Sequence, residues 1–496
     1  MNTRRMPVLL VAGLAFALNL GLPALISGPV PLVHDEFSYL LAADTFASGR
    51  LTNPTHPMWR HFETFHVIHQ PSYQSKYPPG QGLALAAGQL LTGRPIVGVW
   101  ISLALACGAL CWMLQGWLPT RWALLGAGLA TSQPTILAAW GQTYWGGAVA
   151  MLGGALVFGA LPRLLRRIRK RHAFALAAGL AMLANSRPME GLIAGLCALA
   201  VLIGAALAGR MGPPRRLWSD LAVPVLATLA VCALGMAYYN WRVTGDPIEL
   251  PYQTWWRQYQ GPEAGLRFAE LSEWRGSADG SVLQKLRRLR QFYFPFALWI
   301  PVLSLLSVPW LWGVRGVRLA MVTCGLVLAA STHWSTGWPH YCAPVACLLS
   351  LLAAQGLRLF WHTRVGESRP LRFLVALIPA LQLGFLPLFF LRQDFAVSFR
   401  AQLLARERIA VMLDQQPSHH LVLVHYHPNH LVHAEWVYNR ADIDRAKVVW
   451  ARDLGPAQNE ELLAYFRDRR VWLLDADTEP PRLRPYPSAG DSRPAR

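Results

Sequence analysis

The chain runs to 496 residues, of which 53% are hydrophobic and only 15% charged, and its mean hydropathy is +0.27, too apolar for an ordinary soluble enzyme. That composition describes a polytopic membrane protein. The formal net charge of +19 implies no nucleic-acid partner, because Arg and Lys fall largely in short connectors between apolar runs, as cytoplasmic loops are marked, and the anion they meet is lipid phosphate.

The first apolar run, Met6 to Ile26, follows Arg4-Arg5. It is read as a retained first span rather than a secretory leader, because it is long and no small-residue cleavage site precedes the next element. At about twenty residues per crossing, further runs are expected near 95 to 116, 121 to 139, 145 to 161, 172 to 186, 190 to 208, 220 to 241, 293 to 312, 317 to 332, 341 to 357 and 372 to 391. The total is about eleven transmembrane helices. Arg4-Arg5, Arg121, the cluster from Arg163 to Arg171, Arg210, Arg215, Arg216, Arg315, Arg318 and the group Arg358, Arg364, Arg369 and Arg372 fall on one side when these runs alternate. This puts the N-terminus in the cytoplasm. An odd number of crossings leaves loops 28–94 and 242–292 outside, together with 393–496. The stretch Pro79 to Thr92 decides the parity, since about fourteen apolar residues suit an interfacial helix on the outer face better than a crossing. Lys285, Arg287, Arg288 and Arg290 stay outside in this scheme and break the pattern, marking either a fault in the topology or an anion site.

His34-Asp35-Glu36 follows the first span. Charges near hydrocarbon are costly and need a reason. Phe37 to Ala47 has helical spacing, so the acids sit at a helix start, where amide groups and the dipole stabilise carboxylates. A cap needs one acid, and a pair beside His34 exceeds that demand. The loop continues to Lys76-Tyr77-Pro78-Pro79-Gly80 and is too rich in Asp, His, Tyr, Trp and Lys for a bare connector. In Asn185-Ser186-Arg187-Pro188-Met189-Glu190, a charge and a helix-breaking Pro interrupt two apolar runs; read alone, this is equally an inter-helix turn with a snorkelling Arg. Tyr252, Trp255, Trp256, Arg257 and Tyr259 form an aromatic run with a cation inside it, suited to an interfacial belt or to stacking on sugar faces. On Val282 to Phe292, the cluster Lys285 to Arg290 is placed to meet lipid phosphate.

The tail reads as a small extracytoplasmic α/β domain, 393–496. His420 to Tyr426, Lys447 to Trp450 and Val471 to Leu474 are expected strands and Asn459 to Arg467 a helix, with a frayed Pro/Arg-rich end from Pro480. His425, His427, His430 and His433 match no standard metal spacing and are read as structural or solvent-facing. The seven cysteines lie in or beside apolar runs and are read as packing residues.

Transfer of a sugar from a lipid phosphate at the outer face needs one base for the acceptor hydroxyl, while the leaving phosphate is already a stable anion. It also needs cations at the phosphate, for which Lys76, Arg187, Arg257 and His340 are candidates.

The acid pair after the first span, the Tyr77-Pro78-Pro79-Gly80 segment, the Arg187-Pro188 corner, and His340-Tyr341 before a Pro-containing span together resemble the GT-C glycosyltransferases. The layout is similar to the protein mannosyltransferase and aminoarabinose-transferase types over roughly residues 6 to 391. The resemblance implies an all-α transmembrane catalytic domain over 1–392 with outer-face interfacial helices, and a sugar donor linked to polyprenyl phosphate. It implies Asp35 as the catalytic base, with Glu36 orienting it or binding acceptor, and Lys76, Arg187 and His340 at the donor phosphate. His34, Tyr77, Glu190, Arg257 and Tyr341 complete the expected substrate-binding set. No Asp-X-Asp stands in the first loop, so no metal cofactor is required, although His56, His61, His66 and His69 leave a divalent ion open. The partners expected are the lipid-linked donor, a glycan, lipid or protein acceptor, and membrane lipid, in a bacterial cytoplasmic membrane. A polysaccharide ligase or polymerase relying on outer-loop Arg residues, and a non-enzymatic transporter of lipid-linked glycans, are the alternative readings.

Overall fold

A computed structural model describes residues 5–24, 29–260, 281–293, 308–334, 337–364, 367–369, 371–391, 397–428, 430 and 435–487. The chain divides into two compact units. One comprises 1–29, 78–238 and 264–393, and the other 30–77, 239–263 and 394–496.

The first unit is helical. Among the described residues, eight helices are long and apolar enough to cross a membrane: Met6–Ala24, Pro95–Trp117, Ala148–Arg166, Pro188–Leu207, Pro214–Thr244, Gly316–His333, Pro339–His362 and Leu371–Phe390. Two further expected spans correspond to shorter helices, Thr120–Thr131 with 12 residues and Lys170–Ala184 with 15, and most of 293 to 312 lies outside the described residues. Proline opens Pro79–Thr92, Pro95–Trp117 and Pro188–Leu207, at the one helical position where its missing N–H costs nothing.

Pro79–Thr92 is a 14-residue helix ended by Gly93 in the left-handed conformation at φ +74°. It lies backbone to backbone on Pro95–Trp117. A Cβ on Gly98 would sit 2.0 Å from the Ala84 carbonyl oxygen, and one on Gly88 would sit 2.1 Å from the Gly98 nitrogen. At the other end of Pro95–Trp117, Arg163 donates to the Trp112 carbonyl at 2.8 Å and Arg166 to that of Gly116 at 2.7 Å. Arg166 thereby satisfies a carbonyl that the last helical turn leaves open, while Arg163 adds a second donor to one inside the helix. All seven cysteines are free, and five are buried.

The second unit is mixed α/β. Helix His34–Ala47 is followed by a small antiparallel sheet of β1 (Asn53–Pro54), β2 (Val67–Ile68) and β3 (Ser72–Ser75), in the order β1-β3-β2. The helix agrees with its expected position; the three short strands have no counterpart in the sequence reading. A second sheet, ordered β5-β4-β6-β7, is built from β4 (His420–His425), β5 (Val448–Arg452), β6 (Arg470–Asp475) and β7 (Arg482–Pro485). The first three strands are parallel, with helix Pro456–Tyr465 between β5 and β6. The end expected to be frayed is paired as far as Pro485, because β7 finds an antiparallel register on β6, with Trp472 opposite Pro485. Leu41, Phe62, Val67 and Tyr73 of the first loop share one core with Leu421, Leu423, Val449 and Leu473.

Gly98→Leu is expected to destabilise the protein by about 1–3 kcal/mol, since the larger side chain must separate two packed backbones. A lowered thermal midpoint of the purified protein in detergent checks this, and an unchanged midpoint contradicts it.

Candidate active site

The acid pair divides at the first turn of His34–Ala47. Glu36 is buried and turns back, its Oε2 accepting from the backbone amides of Leu32 at 2.8 Å and Val33 at 3.3 Å, so it serves as the cap of its own helix. Asp35 is left to face other side chains. Tyr77 donates its hydroxyl to Asp35 Oδ1, and His66 Nε2 lies 3.8 Å from the same oxygen.

Serines fix this arrangement. Ser38, one turn along the helix from Asp35, donates to the His66 carbonyl at 2.7 Å and shares a 2.7 Å hydrogen bond with Ser75. The Ser75 hydroxyl in turn accepts from the Tyr77 amide at 3.1 Å. Tyr39 stacks on Tyr77 with centroids 4.5 Å apart. Behind the acid turn, Phe37 stacks on Tyr438 at 4.5 Å and lies under the Arg406 guanidinium at 4.9 Å, while Asp44 accepts from the Ala441 amide at 2.9 Å. The helix that carries Asp35 is thus held from both sides within the second unit.

Lys76 leaves the end of β3 and is only 3% exposed. Its ammonium lies 3.4 Å from the centre of the Trp255 ring, with Tyr252, Tyr77 and Phe65 at 5.1, 5.2 and 5.5 Å. Cation–π contact partly offsets lost hydration. Burial holds the Lys76 pKa well below the usual lysine range, and the nearby Asp35 charge works against that shift. Among the described residues, no oxygen accepts a hydrogen bond from this Nζ at the distances that define one. A buried cation ringed by aromatic faces is suited to meeting an anion.

The aromatic run of the second outer loop resolves into two faces of one helix, Pro251–Gln260. Trp255 and Tyr259 are buried, whereas Tyr252 and Trp256 are 46% and 40% exposed. Arg257 is exposed and pairs with Glu249. His34 is buried and meets Phe65 and His66 edge-on at 5.0 and 5.1 Å. The remaining histidines of this loop have local tasks. His56 Nε2 is 3.1 Å from Asp444, and the His61 ring nitrogens lie 3.0 and 3.2 Å from the carbonyls of Arg452 and Gln458. His69 stacks on Tyr73, and burial lowers its pKa to about 3, keeping it neutral. Among the described residues, no group of three or more His, Cys, Asp or Glu is placed to hold a metal ion. In the tail, His425 and His430 pair with Asp453 and Asp477, and His433 lies outside the described residues.

Arg187, Glu190, His340 and Tyr341 belong to the first unit. The Arg187 guanidinium lies 4.7 Å over the Tyr341 ring, His340 packs against Tyr341 and Trp145 at 4.8 and 5.4 Å, and Glu190 is buried one turn into helix Pro188–Leu207. Arg288 lies 4.4 Å over Trp338, whose ring is 5.9 Å from Trp145, and Lys285 is buried, donating to the Thr332 carbonyl at 3.0 Å. The Gly80 amide donates to the Asn185 carbonyl at 2.9 Å, and a Cβ on Gly80 would stand 2.6 Å from that oxygen. The Tyr-Pro-Pro-Gly segment and the Asn-Ser-Arg-Pro corner therefore meet at one bond that only glycine admits.

No protein-family model matches the sequence, and no curated protein does either. Solved structures do. ArnT from Cupriavidus metallidurans in the apo state superimposes with a TM-score of 0.55 at 14% identity, covering 94% of this chain and 92% of that one. The chain therefore shares its fold with ArnT. The Archaeoglobus fulgidus oligosaccharyltransferase in the apo form gives 0.51 at 12% identity over 84% of this chain, which spans 62% of that enzyme's length. The same enzyme tethered with an acceptor peptide containing the NVT sequon gives 0.52 at 13% identity, covering 94% and 69%. Eight apolar helices of spanning length among the described residues make this an integral membrane protein.

Sequence reasoning missed the parts played by Phe65, His66 and Trp255. The i, i+4 spacing of Trp255 and Tyr259 places them on one helical face; His66 stood out only within a histidine series, and nothing in the sequence marked Phe65.

Because burial depresses the folded-state pKa of Lys76, the unfolded chain binds that proton more readily. Stability therefore rises with pH between the folded-state value and that of the unfolded side chain. Lys76→Met removes the penalty and is expected to melt at a higher temperature than the wild type at pH 7. The gap should narrow as pH approaches the 10.5 of a free lysine side chain. Thermal midpoints across that pH range check this, and a variant that melts lower at pH 7 contradicts it.

Proposed function

We propose that this protein is a membrane glycosyltransferase that moves a sugar from a polyprenyl phosphate-linked donor to an acceptor on the extracytoplasmic face. The single observation that carries the reading is the pairing, within one unit, of a carboxylate relieved of capping duty with a buried ammonium to which no described residue offers a hydrogen-bonding oxygen. The GT-C fold supports it. The proposed orientation has the N-terminus in the cytoplasm of a bacterium and the tail outside, where nucleotide sugars are absent and lipid-linked donors are the fuel.

Asp35 acts as the base. As the acceptor oxygen attacks the anomeric carbon from the side opposite the phosphate, its proton passes to Asp35, and the bond from sugar to phosphate oxygen breaks with its electron pair going to the phosphate. The sugar inverts. The leaving group needs no acid, only cations on its oxygens, and Lys76, Arg187 and His340 are assigned that task. Tyr77 orients Asp35, and Glu36 holds the turn that presents it. His34, Glu190, Arg257 and Tyr341 complete the proposed substrate-binding set. No metal enters the step. The acceptor is a glycan, a lipid or a protein; the acceptor peptide held by the archaeal enzyme makes the last of these worth testing first.

A strain lacking the protein is expected to accumulate the polyprenyl phosphate-linked sugar, detected by mass spectrometry of its lipids, and the wild-type gene should clear it. Asp35→Asn should insert at wild-type level and lower turnover by about 10²–10⁴-fold, leaving the lipid accumulated. Full clearance by Asp35→Asn overturns the assignment.

A further inference from the structure

His66 is the one described residue other than glycine with a positive φ, at +68°. Such a backbone costs energy and persists only where the surroundings over-determine it. Here they do. The His66 carbonyl accepts from Ser38 Oγ at 2.7 Å and from the Lys76 amide at 3.3 Å. Its ring stacks on Phe65 at 4.0 Å, with His34, Trp255 and Tyr77 at 5.1, 5.3 and 5.7 Å. The outcome of these constraints is to hold Nε2 3.8 Å from Asp35 Oδ1, inside a site where His66 is only 8% exposed.

A base that takes one proton per turnover must lose it before the next. The Asp35 side chain is 29% exposed, and of the two groups at its Oδ1, Tyr77 already directs its hydroxyl proton at the carboxylate and so offers no vacancy for another. Lys76 and His34 are the other ionisable groups nearby; the Lys76 ammonium faces aromatic rings, and the His34 ring meets that of His66 edge-on. An imidazole is ordinarily more basic than a carboxylate, so a proton moves downhill from a carboxylic acid to it.

We infer that His66 is the proton acceptor that resets Asp35 after each transfer. The inference rests on the proposed glycosyl transfer. The acceptor O–H bond breaks to form an Asp35 O–H bond; that proton then passes to His66 Nε2, giving a carboxylate and an imidazolium, and the imidazolium releases it to water or to the departing phosphate. The separation of 3.8 Å exceeds hydrogen-bond reach of about 3.2 Å, and the proposed transfer requires the two groups to close that gap when substrate binds. His66 acts through Asp35 and is a positioning and relay residue. The groups that face it are His34 and Asp35 from helix His34–Ala47, Lys76 and Tyr77 from the end of β3, and the aromatic face of Trp255 from helix Pro251–Gln260.

The test uses the full-length protein in membranes and two variants. His66→Asn keeps a residue that tolerates positive φ, and His66→Gly removes the backbone penalty altogether. Dicyclohexylcarbodiimide, which labels protonated carboxyls in apolar surroundings, is applied between pH 5 and 8, and labelling of Asp35 is read by peptide mass spectrometry. Loss of the imidazole that draws protons from Asp35 should raise Asp35 labelling severalfold in both variants. Turnover of the lipid-linked sugar extracted from the deletion strain should fall in both, and added imidazole should restore it in His66→Gly. Unchanged labelling profiles, or a loss of turnover that imidazole leaves untouched, overturn the inference. If wild-type membranes transfer no sugar at all, the glycosyltransferase reading fails, while the labelling profile still decides whether His66 and Asp35 are coupled.

Discussion

Glu36 bends back onto the amides of Leu32 and Val33, and that bond governs what its neighbour can do. A helix start offers unsatisfied N–H groups and a positive dipole end, and a lone carboxylate there is drawn into capping. With Glu36 taking that role from the third helical position, Asp35 keeps its oxygens for Tyr77 and His66. Two adjacent acids become one structural group and one chemical group, separated by the geometry of a single turn.

Around this turn the second unit is arranged to keep Asp35 in place. Ser38 and Ser75 tie the helix to the strands that deliver His66 and Lys76, and Phe37 is clamped by Tyr438 and Arg406 from the far side of the chain. Lys76 is the destabilising element of the set. Its ammonium is desolvated, and four aromatic faces return only part of the lost hydration. Sites of this kind trade stability for function, and an arriving phosphate would meet a cation with little water left to displace.

Much of this was legible in the sequence where periodicity or punctuation carried it. The long apolar helices, helix His34–Ala47, the 14-residue helix after Tyr77-Pro78-Pro79 and the parallel strands of the tail follow from apolar runs, proline and spacing. The order of weak motifs resembled the GT-C pattern, and the fold shared with ArnT agrees with that resemblance, although no family model and no curated sequence matches. What escaped was built from contacts distant in sequence. Strands of two to four polar residues, such as β1 and β3, have too little pattern to register. The Trp255 and Lys76 pair, and the core shared by Leu41 and Phe62 with Leu423, depend on how separate segments meet. The strand β7 was hidden by arginine and proline, residues that sit at a sheet edge by pairing on one side only. The bond from Gly80 to Asn185 joins two motifs that the sequence could only show side by side.

In the proposed reaction, Lys76 in its aromatic cage receives the phosphate of the lipid donor. Trp255 lies against that ammonium and reports on it directly. Titrating a polyprenyl phosphate into the protein in nanodiscs while following tryptophan fluorescence should give a saturable change that disappears in Trp255→Phe. In Lys76→Met the affinity should weaken roughly tenfold or more, the worth of one charge-assisted hydrogen bond. A Lys76→Met protein that binds the lipid as tightly as the wild type would contradict the claim.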